Sequence, residues 1–118
     1  MRKPIVSYDQ FDVVVVPFPL TDRTSNKRRP ALVVSNATRF NTLMGQSVLA
    51  MITSAKNSDW PLDTEISDLD SAGLPSASLV RMKLFTLDHQ LVIRKAGSLS
   101  RHDQTAVTTA LQTLFNQH

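Results

Sequence analysis

The most sustained apolar signal lies near the N-terminus, where Val13, Val14, Val15 and Val16 run together between Asp12 and Pro17. Four consecutive β-branched residues without polar alternation predict a strand over residues 11–18, buried on both faces or inside a barrel. Pro17 and Pro19 end it, because proline cannot donate to a central ladder. Residues 21–29 are polar, charged and aperiodic, which predicts a loop. Pro30 then opens a second strand over residues 31–35, and Asn36 begins its exit turn. Residues 37–45 form a longer connection with room for one helical turn. Val48, Leu49, Met51 and Ile52 predict a third strand over residues 47–53. A second polar loop covers residues 54–61 and holds Lys56, Asn57, Asp59 and the single tryptophan, Trp60.

Further along, residues 63–67 read as a short polar edge strand and residues 70–75, with Gly73 and Pro75, as a turn. Short strands follow over residues 78–87 and 89–93, parted near Asp88, and Gly97 breaks the pattern. The last element is a helix. Ser100 is its N-cap, and Asp103, three residues on, makes a weaker form of the capping box. Val107, Ala110, Leu111 and Leu114 follow i, i+3, i+4, i+7 spacing and give it one apolar face. Many closely spaced short strands before one helix predict a mainly β (α+β) fold. The expected architecture is a small curled sheet or barrel packed by a C-terminal helix, with residues 1–118 as one domain.

Composition narrows the chemistry more than the fold. The 118 residues are 42% apolar and 19% charged, which argues against wholesale disorder. With no cysteine, a disulfide framework, a thiolate zinc site, an iron–sulfur cluster and a cysteine nucleophile are all excluded. No apolar run approaches the ~20 residues that span a bilayer, and no long apolar segment follows the charged start Met1-Arg2-Lys3-Pro4. A cytoplasmic protein without a membrane partner is therefore expected. Lys and Arg total 13 against 10 acids, a mild excess. Its placement says more, because Arg23, Lys27, Arg28 and Arg29 crowd into one short segment, which points to a polyanion partner.

Two segments offer phosphate-facing chemistry. In Lys27-Arg28-Arg29-Pro30, the proline ring biases Arg29 toward an extended backbone, which gives its side chain a defined direction. A guanidinium presents a planar fork of donors that matches two phosphate oxygens. The plainer reading of the same residues is a solvated basic turn. Thr53 and Ser54 stand where the third strand opens into a loop, where hydroxyls either bond a phosphate or cap their own backbone. Neither has a sequence-adjacent His or Asp to serve as its base, so a serine-hydrolase reading gains no support. His89, His102 and His118 lack metal-ligand spacing, and no metal site or cofactor is expected. A structural role suits His89 better than acid–base work. Three glycines form no phosphate-cradling loop. Trp60 and Phe40 suit stacking on exposed bases or filling the core, and the sequence leaves both open.

Taken in order, these segments resemble the MazF/PemK family of toxin endoribonucleases. The likeness is carried by residues 11–19 (FDVVVVPFP) and 28–36 (RRPALVVSN). It continues through Met51-Ile52-Thr53-Ser54, Gly73-Leu74-Pro75, Phe85-Thr86-Leu87-Asp88 and Ala96-Gly97-Ser98-Leu99-Ser100. The resemblance implies an SH3-like barrel with a C-terminal helix, usually a homodimer, that cleaves single-stranded RNA at short sequences without a metal. It implies attack of a 2′-hydroxyl on the adjacent phosphate, leaving a 2′,3′-cyclic phosphate and a 5′-hydroxyl. By the same resemblance, Arg29 and Thr53 are the catalytic pair. Lys27, Arg28, Ser54, Lys56, Arg81 and Lys83 line the RNA face. A cognate antitoxin would insert an acidic segment into the basic groove.

The sequence also departs from the family pattern. Phe11 stands where a Gly is common. The loop before Arg29-Pro30 lacks the usual Gly-x-Glu, and Met82-Lys83, preceded by Arg81, stands in place of an acidic-Gln pair. These changes make the RNA face more basic. Two alternatives stay open: a barrel that binds RNA without cutting it, and a protein-binding toxin of the same fold resembling the gyrase-poisoning CcdB branch.

Overall fold

The computed structural model describes residues 7–18, 27–57 and 60–116. Most of the first polar loop, Asp59 and His118 lie outside the described residues, as does Arg23 of the basic cluster. Six strands form one antiparallel sheet in the order β4-β5-β3-β2-β1-β6. They are β1 (Asp12–Phe18), β2 (Lys27–Val33), β3 (Gln46–Ser54), β4 (Thr64–Glu65), β5 (Ser78–Asp88) and β6 (Arg94–Ser98). Two short helices, α1 (Thr42–Met44) and α2 (Leu69–Ala72), lie in connections, and α3 (Arg101–Leu114) closes the chain.

The valine run explains how one thin sheet holds two cores. Val13 joins Leu32, Ala50, Ile52 and Val80 on one face, where Val107 of α3 and Ile66 pack. Val14 and Val16 join Ala31, Val33, Leu49, Leu87 and Val92 on the other. Alternate residues of a strand point to opposite faces, so an unbroken apolar run means burial on both. The sequence expectation for β1 holds for that reason.

The boundaries differ from expectation where pairing overrides side-chain type. Residues 27–29, expected as loop, are strand, because Phe18, Pro17 and Val16 of β1 pair with Lys27, Arg28 and Arg29. Backbone bonds to a neighbouring strand tolerate charged side chains that stay in solvent. The expected strand over residues 89–93 is instead a tight turn, His89–Leu91, started by Asp88, whose side chain accepts from the Gln90 N–H. The true last strand is β6, with Gly97 inside it rather than ending it. Residues 70–75, read as a turn, contain α2, capped by the Asp68 side chain on the Ser71 N–H and ended by Gly73 at φ +71°. The strand expected over residues 63–67 shrinks to Thr64–Glu65.

Glycine is required where α2 meets β6. A Cβ on Gly73 would lie 2.1 Å from the Ala96 carbonyl oxygen, and one on Gly97 would lie 2.4 Å from that of Ser71. Phe11 poses the opposite problem. It holds φ +72°, a left-handed backbone that suits glycine and costs a bulky residue about 1–2 kcal/mol. The conformation is held from both sides, since Phe11 N–H donates to Val33 O at 2.7 Å and Phe11 O accepts from Leu99 N–H at 3.0 Å. The ring packs against the first core cluster and offsets part of the strain.

Helix α3 begins as expected, with the Ser100 hydroxyl accepting from the Asp103 N–H. The Asp103 carboxylate, 1% exposed, reaches beyond the helix. It accepts from Ser67 N–H at 3.0 Å, Ser67 Oγ at 2.7 Å and Asp68 N–H at 3.0 Å. Burial alone would raise its pKa. The N–H groups of Asp68 and Ser67 and the hydroxyls of Ser67 and Ser100 outweigh burial and hold the group below its ordinary value. Leu114, expected on the apolar face, stands 39% exposed past the last buried turn.

Removing this carboxylate orphans several buried donors, so Asp103→Ala should lose about 3 kcal/mol of stability in urea unfolding. A carboxyl with a folded pKa below its unfolded value, about 3.9, contributes fully above that pH. The contribution is lost as pH falls through the folded pKa. Wild type should therefore lose more stability on acidification from about pH 4.5 to 2.5 than Asp103→Asn does.

Candidate functional site

The second core face does not stay apolar to the strand ends. Along β1 the same-face positions run Val14, Val16, Phe18. Along β2, read backward, they run Val33, Ala31, Arg29, and along β3 they run Leu49, Met51, Thr53. Two-residue periodicity thus carries each strand from a buried aliphatic residue to a residue at the site. The β2–β3 ladder runs from Val33↔Leu49 to Ala31↔Met51 and stops at Pro30, which has no N–H. Its register, continued two residues, sets Arg29 opposite Thr53.

The fourth wall is an irregularity. Ala50 and Met51 are adjacent on β3, yet they pair with Leu84 and Arg81 of β5. Met82 and Lys83 are therefore extra, a bulge of the kind that re-aims side chains beside functional sites. Met82 packs toward the first core cluster, while Lys83 is exposed at the cavity.

Together these residues line a cavity of about 190 Å³: Phe18, Arg29, Met51, Thr53, Arg81, Lys83, Leu84 and Phe85. The Arg29 guanidinium lies over the Phe18 ring, 4.8 Å from its centroid. Arg81 is held differently. Its Nη2 and Nε donate to the two carboxylate oxygens of Asp63 at 2.9 and 3.2 Å, and its guanidinium lies 5.3 Å from the Trp60 ring centroid. The pair is largely shielded, with side chains 14% and 6% exposed.

Four of the eight basic and hydroxyl residues singled out in the sequence therefore meet at one cavity: Arg29, Thr53, Arg81 and Lys83. The other four stand outside its lining. Lys27 and Arg28 are exposed at the start of β2, with Arg28 on the opposite face from Arg29. Ser54 is exposed at the end of β3, where its Oγ accepts from the Lys56 N–H at 3.4 Å, and Lys56 is exposed in the turn Ala55–Asn57. Sequence reasoning missed Asp63 as the partner of Arg81. The signal was too weak to find it, since a lone aspartate 18 residues away gives no spacing rule. The apolar lining, Met51, Leu84 and Phe85, was read as strand and not as part of a site.

His89 belongs elsewhere. It is 5% exposed, its Nε2 lies 2.7 Å from Ser47 Oγ, and the Tyr8 ring meets it edge-on at 5.2 Å. It does not line the cavity. Among the described residues, no three His, Asp or Glu side chains group so as to hold a metal ion, and no helix is long and apolar enough to cross a membrane.

Residues 9–115 match the family described as PemK-like, MazF-like toxin of type II toxin–antitoxin systems. The chain belongs to that family. Solved structures share the fold. An endoribonuclease in complex with its cognate antitoxin from Mycobacterial species superposes with a TM-score of 0.73 at 17% identity, covering 95% of this chain and 96% of that one. The MazE–MazF structure from Deinococcus radiodurans gives 0.74 at 19% identity, covering 96% and 99%. The Mycobacterium tuberculosis toxin MazF-mt6 gives 0.70 at 17% identity, covering 91% and 98%. No curated protein is similar enough in sequence to match the chain. As in those MazF-like structures, a curled antiparallel sheet is packed by a C-terminal helix.

Cutting the Asp63–Arg81 pair from one side leaves a shielded guanidinium uncompensated. Asp63→Ala should cost about 2–3 kcal/mol in denaturant unfolding, whereas Lys83→Gln, exposed at the same cavity, should stay within about 0.5 kcal/mol of wild type.

Proposed function

We propose that this PemK/MazF-like toxin is an endoribonuclease that cleaves single-stranded RNA without a metal. The observation that carries the reading is the convergence of Arg29 and Thr53, from different strands, on one small cationic cavity. Arg29 offers two parallel donors to the oxygens of a phosphodiester. In the reaction, a ribose 2′-oxygen bonds to phosphorus as the bond to the neighbouring 5′-oxygen breaks. The products are a 2′,3′-cyclic phosphate and a 5′-hydroxyl. The proton lost from the 2′-hydroxyl balances the one gained by the leaving oxygen, so no water is consumed. Charge gathers on the non-bridging oxygens on the way, and a preorganised guanidinium stabilises that state more than the ground state. Thr53 orients one of those oxygens through its hydroxyl. Lys83 adds a second cation, so this chain supplies at the phosphate the neutralisation a metal would otherwise provide.

The remaining proposed parts follow from charge. Lys27, Lys56 and Ser54 would follow the RNA backbone beyond the cut, with Arg81 and Lys83 nearer to it, while Arg28 lies on the opposite face of β2 from Arg29. A cognate antitoxin with an acidic segment is the natural inhibitor of such a face, and a cytoplasmic homodimer is the proposed working form.

One observation favours a second reading. Among the described residues that line the cavity there is no carboxylate or imidazole. A guanidinium is a poor base. This suits a barrel that binds RNA and does not cut it.

The deciding experiment incubates purified protein with a long single-stranded RNA in EDTA. Wild type should yield discrete fragments ending in 5′-hydroxyls. Arg29→Ala should slow cleavage by about 10²–10³-fold, and Thr53→Ala by about tenfold or more. Arg29 is exposed, so its loss should leave the fold intact. Intact RNA from folded wild type would sink the nuclease, and a gel shift on that RNA would then support the binder.

A further inference from the structure

Trp60 is the single tryptophan of the chain and is 45% exposed. It is nevertheless held in place. Its backbone N–H donates to Asp63 Oδ2 at 3.3 Å, and the Asp63 backbone N–H returns to the Trp60 carbonyl at 3.3 Å. The same carboxylate accepts from Nε and Nη2 of Arg81, whose guanidinium lies against the indole at 5.3 Å. Inside this turn Leu62 adopts φ +68°, a left-handed backbone that a leucine takes only under constraint. One shielded carboxylate thus holds the backbone of a turn and a guanidinium, and the indole lies against that guanidinium. Backbone strain maintained by its surroundings clusters at functional sites.

Placement gives the device a use. Arg81 is part of the lining that includes Arg29, Thr53 and Lys83, so the indole stands beside the cavity with Arg81 between them. An RNA strand with a phosphate in that cavity carries its nearest unpaired bases to the rim. Bases offer a flat π face, and a partly exposed indole backed by a cation is a surface on which any base can stack. An aromatic side chain with only two rotatable bonds loses little entropy on contact. We infer that Trp60, on its Arg81–Asp63 support, is the stacking platform for an unpaired nucleobase next to the phosphate held by Arg29. The inference rests on the RNA reading above and gives that site a base-holding element. Trp60 takes no part in proton transfer or charge stabilisation. It positions the strand.

The single tryptophan makes the test direct. Intrinsic emission is followed while end-labelled, mixed-sequence 2′-O-methyl RNA, which lacks the attacking hydroxyl, is titrated into the protein. Binding is read independently from the anisotropy of the label. The platform predicts quenching of Trp60 in step with binding. It also predicts weakening of binding by about 5- to 100-fold in Trp60→Leu, and recovery of most of that affinity in Trp60→Phe. Trp60→Phe keeps a ring on Arg81 and covers the case in which Trp60→Leu does not fold. Saturable anisotropy with unchanged emission, and with Trp60→Phe and Trp60→Leu binding as wild type does, would overturn the platform. It would keep the RNA reading and leave this ring to a protein partner. A flat anisotropy trace from folded wild type would overturn both.

Discussion

A carboxylate buried without a cation beside it stays charged only if the surrounding donors replace the water it has lost. Asp103 meets that condition with the N–H groups of Ser67 and Asp68 and the Ser67 hydroxyl. These donors belong to the link between β4 and α2, 35 and 36 residues away in sequence. Asp68 in turn caps α2 through the Ser71 N–H. The first turn of α3, the short strand β4 and the start of α2 therefore share one electrostatic joint. Val107 and Ala110 supply the apolar area that holds the helix to the sheet. Asp103 sets where along the sheet that area lands, because hydrogen bonds are directional and apolar contact is not.

The cavity depends on this frame indirectly. Phe18 and Arg29 sit two positions beyond the buried Val16 and Ala31, and Thr53 sits four beyond Leu49 with Met51 between. The rigidity of Arg29, Thr53 and Phe18 is thus borrowed from the second core cluster, with Val16, Ala31 and Leu49 as anchors. Groups held on strands are positioned more closely than groups on loops. The bulge at Met82 and Lys83 adds the one asymmetric element, sending one side chain inward and the other to the cavity. Chemistry at this face is set by few residues that the core does not need, so the same frame accommodates different strand-end residues.

Much of this was legible in the sequence, and the division has physical causes. The valine run, the Ser100 cap and the spacing of Val107 and Ala110 are local signals, and each survived folding. The strand state of Lys27, Arg28 and Arg29 was not legible, because it comes from pairing with β1 rather than from their own propensity. For the same reason β6 was missed: Arg94, Lys95 and Gly97 look unlike a strand until Val13, Val14 and Val15 pair with them. At the site, Arg29 and Thr53 could be nominated from residue type and neighbours. The Asp63–Arg81–Trp60 assembly could not, since it joins a turn to a strand across 18 residues by a contact no local pattern encodes.

The meeting of Gly73 with β6 has a consequence for how the protein behaves in company. β4 and β6 are the two terminal strands of the sheet, and open strand edges are templates on which other chains can add. Because α2 follows β4 directly and its end packs on Ala96 and Gly97, the curled sheet brings its two extremes together. The Ser71 hydroxyl takes the Ser98 carbonyl at 2.8 Å, removing one acceptor from the last strand. The two glycines thus do more than permit close packing. By letting a single helical turn sit across the seam, they join the two margins of a six-stranded sheet whose terminal strands, among the described residues, do not pair with each other.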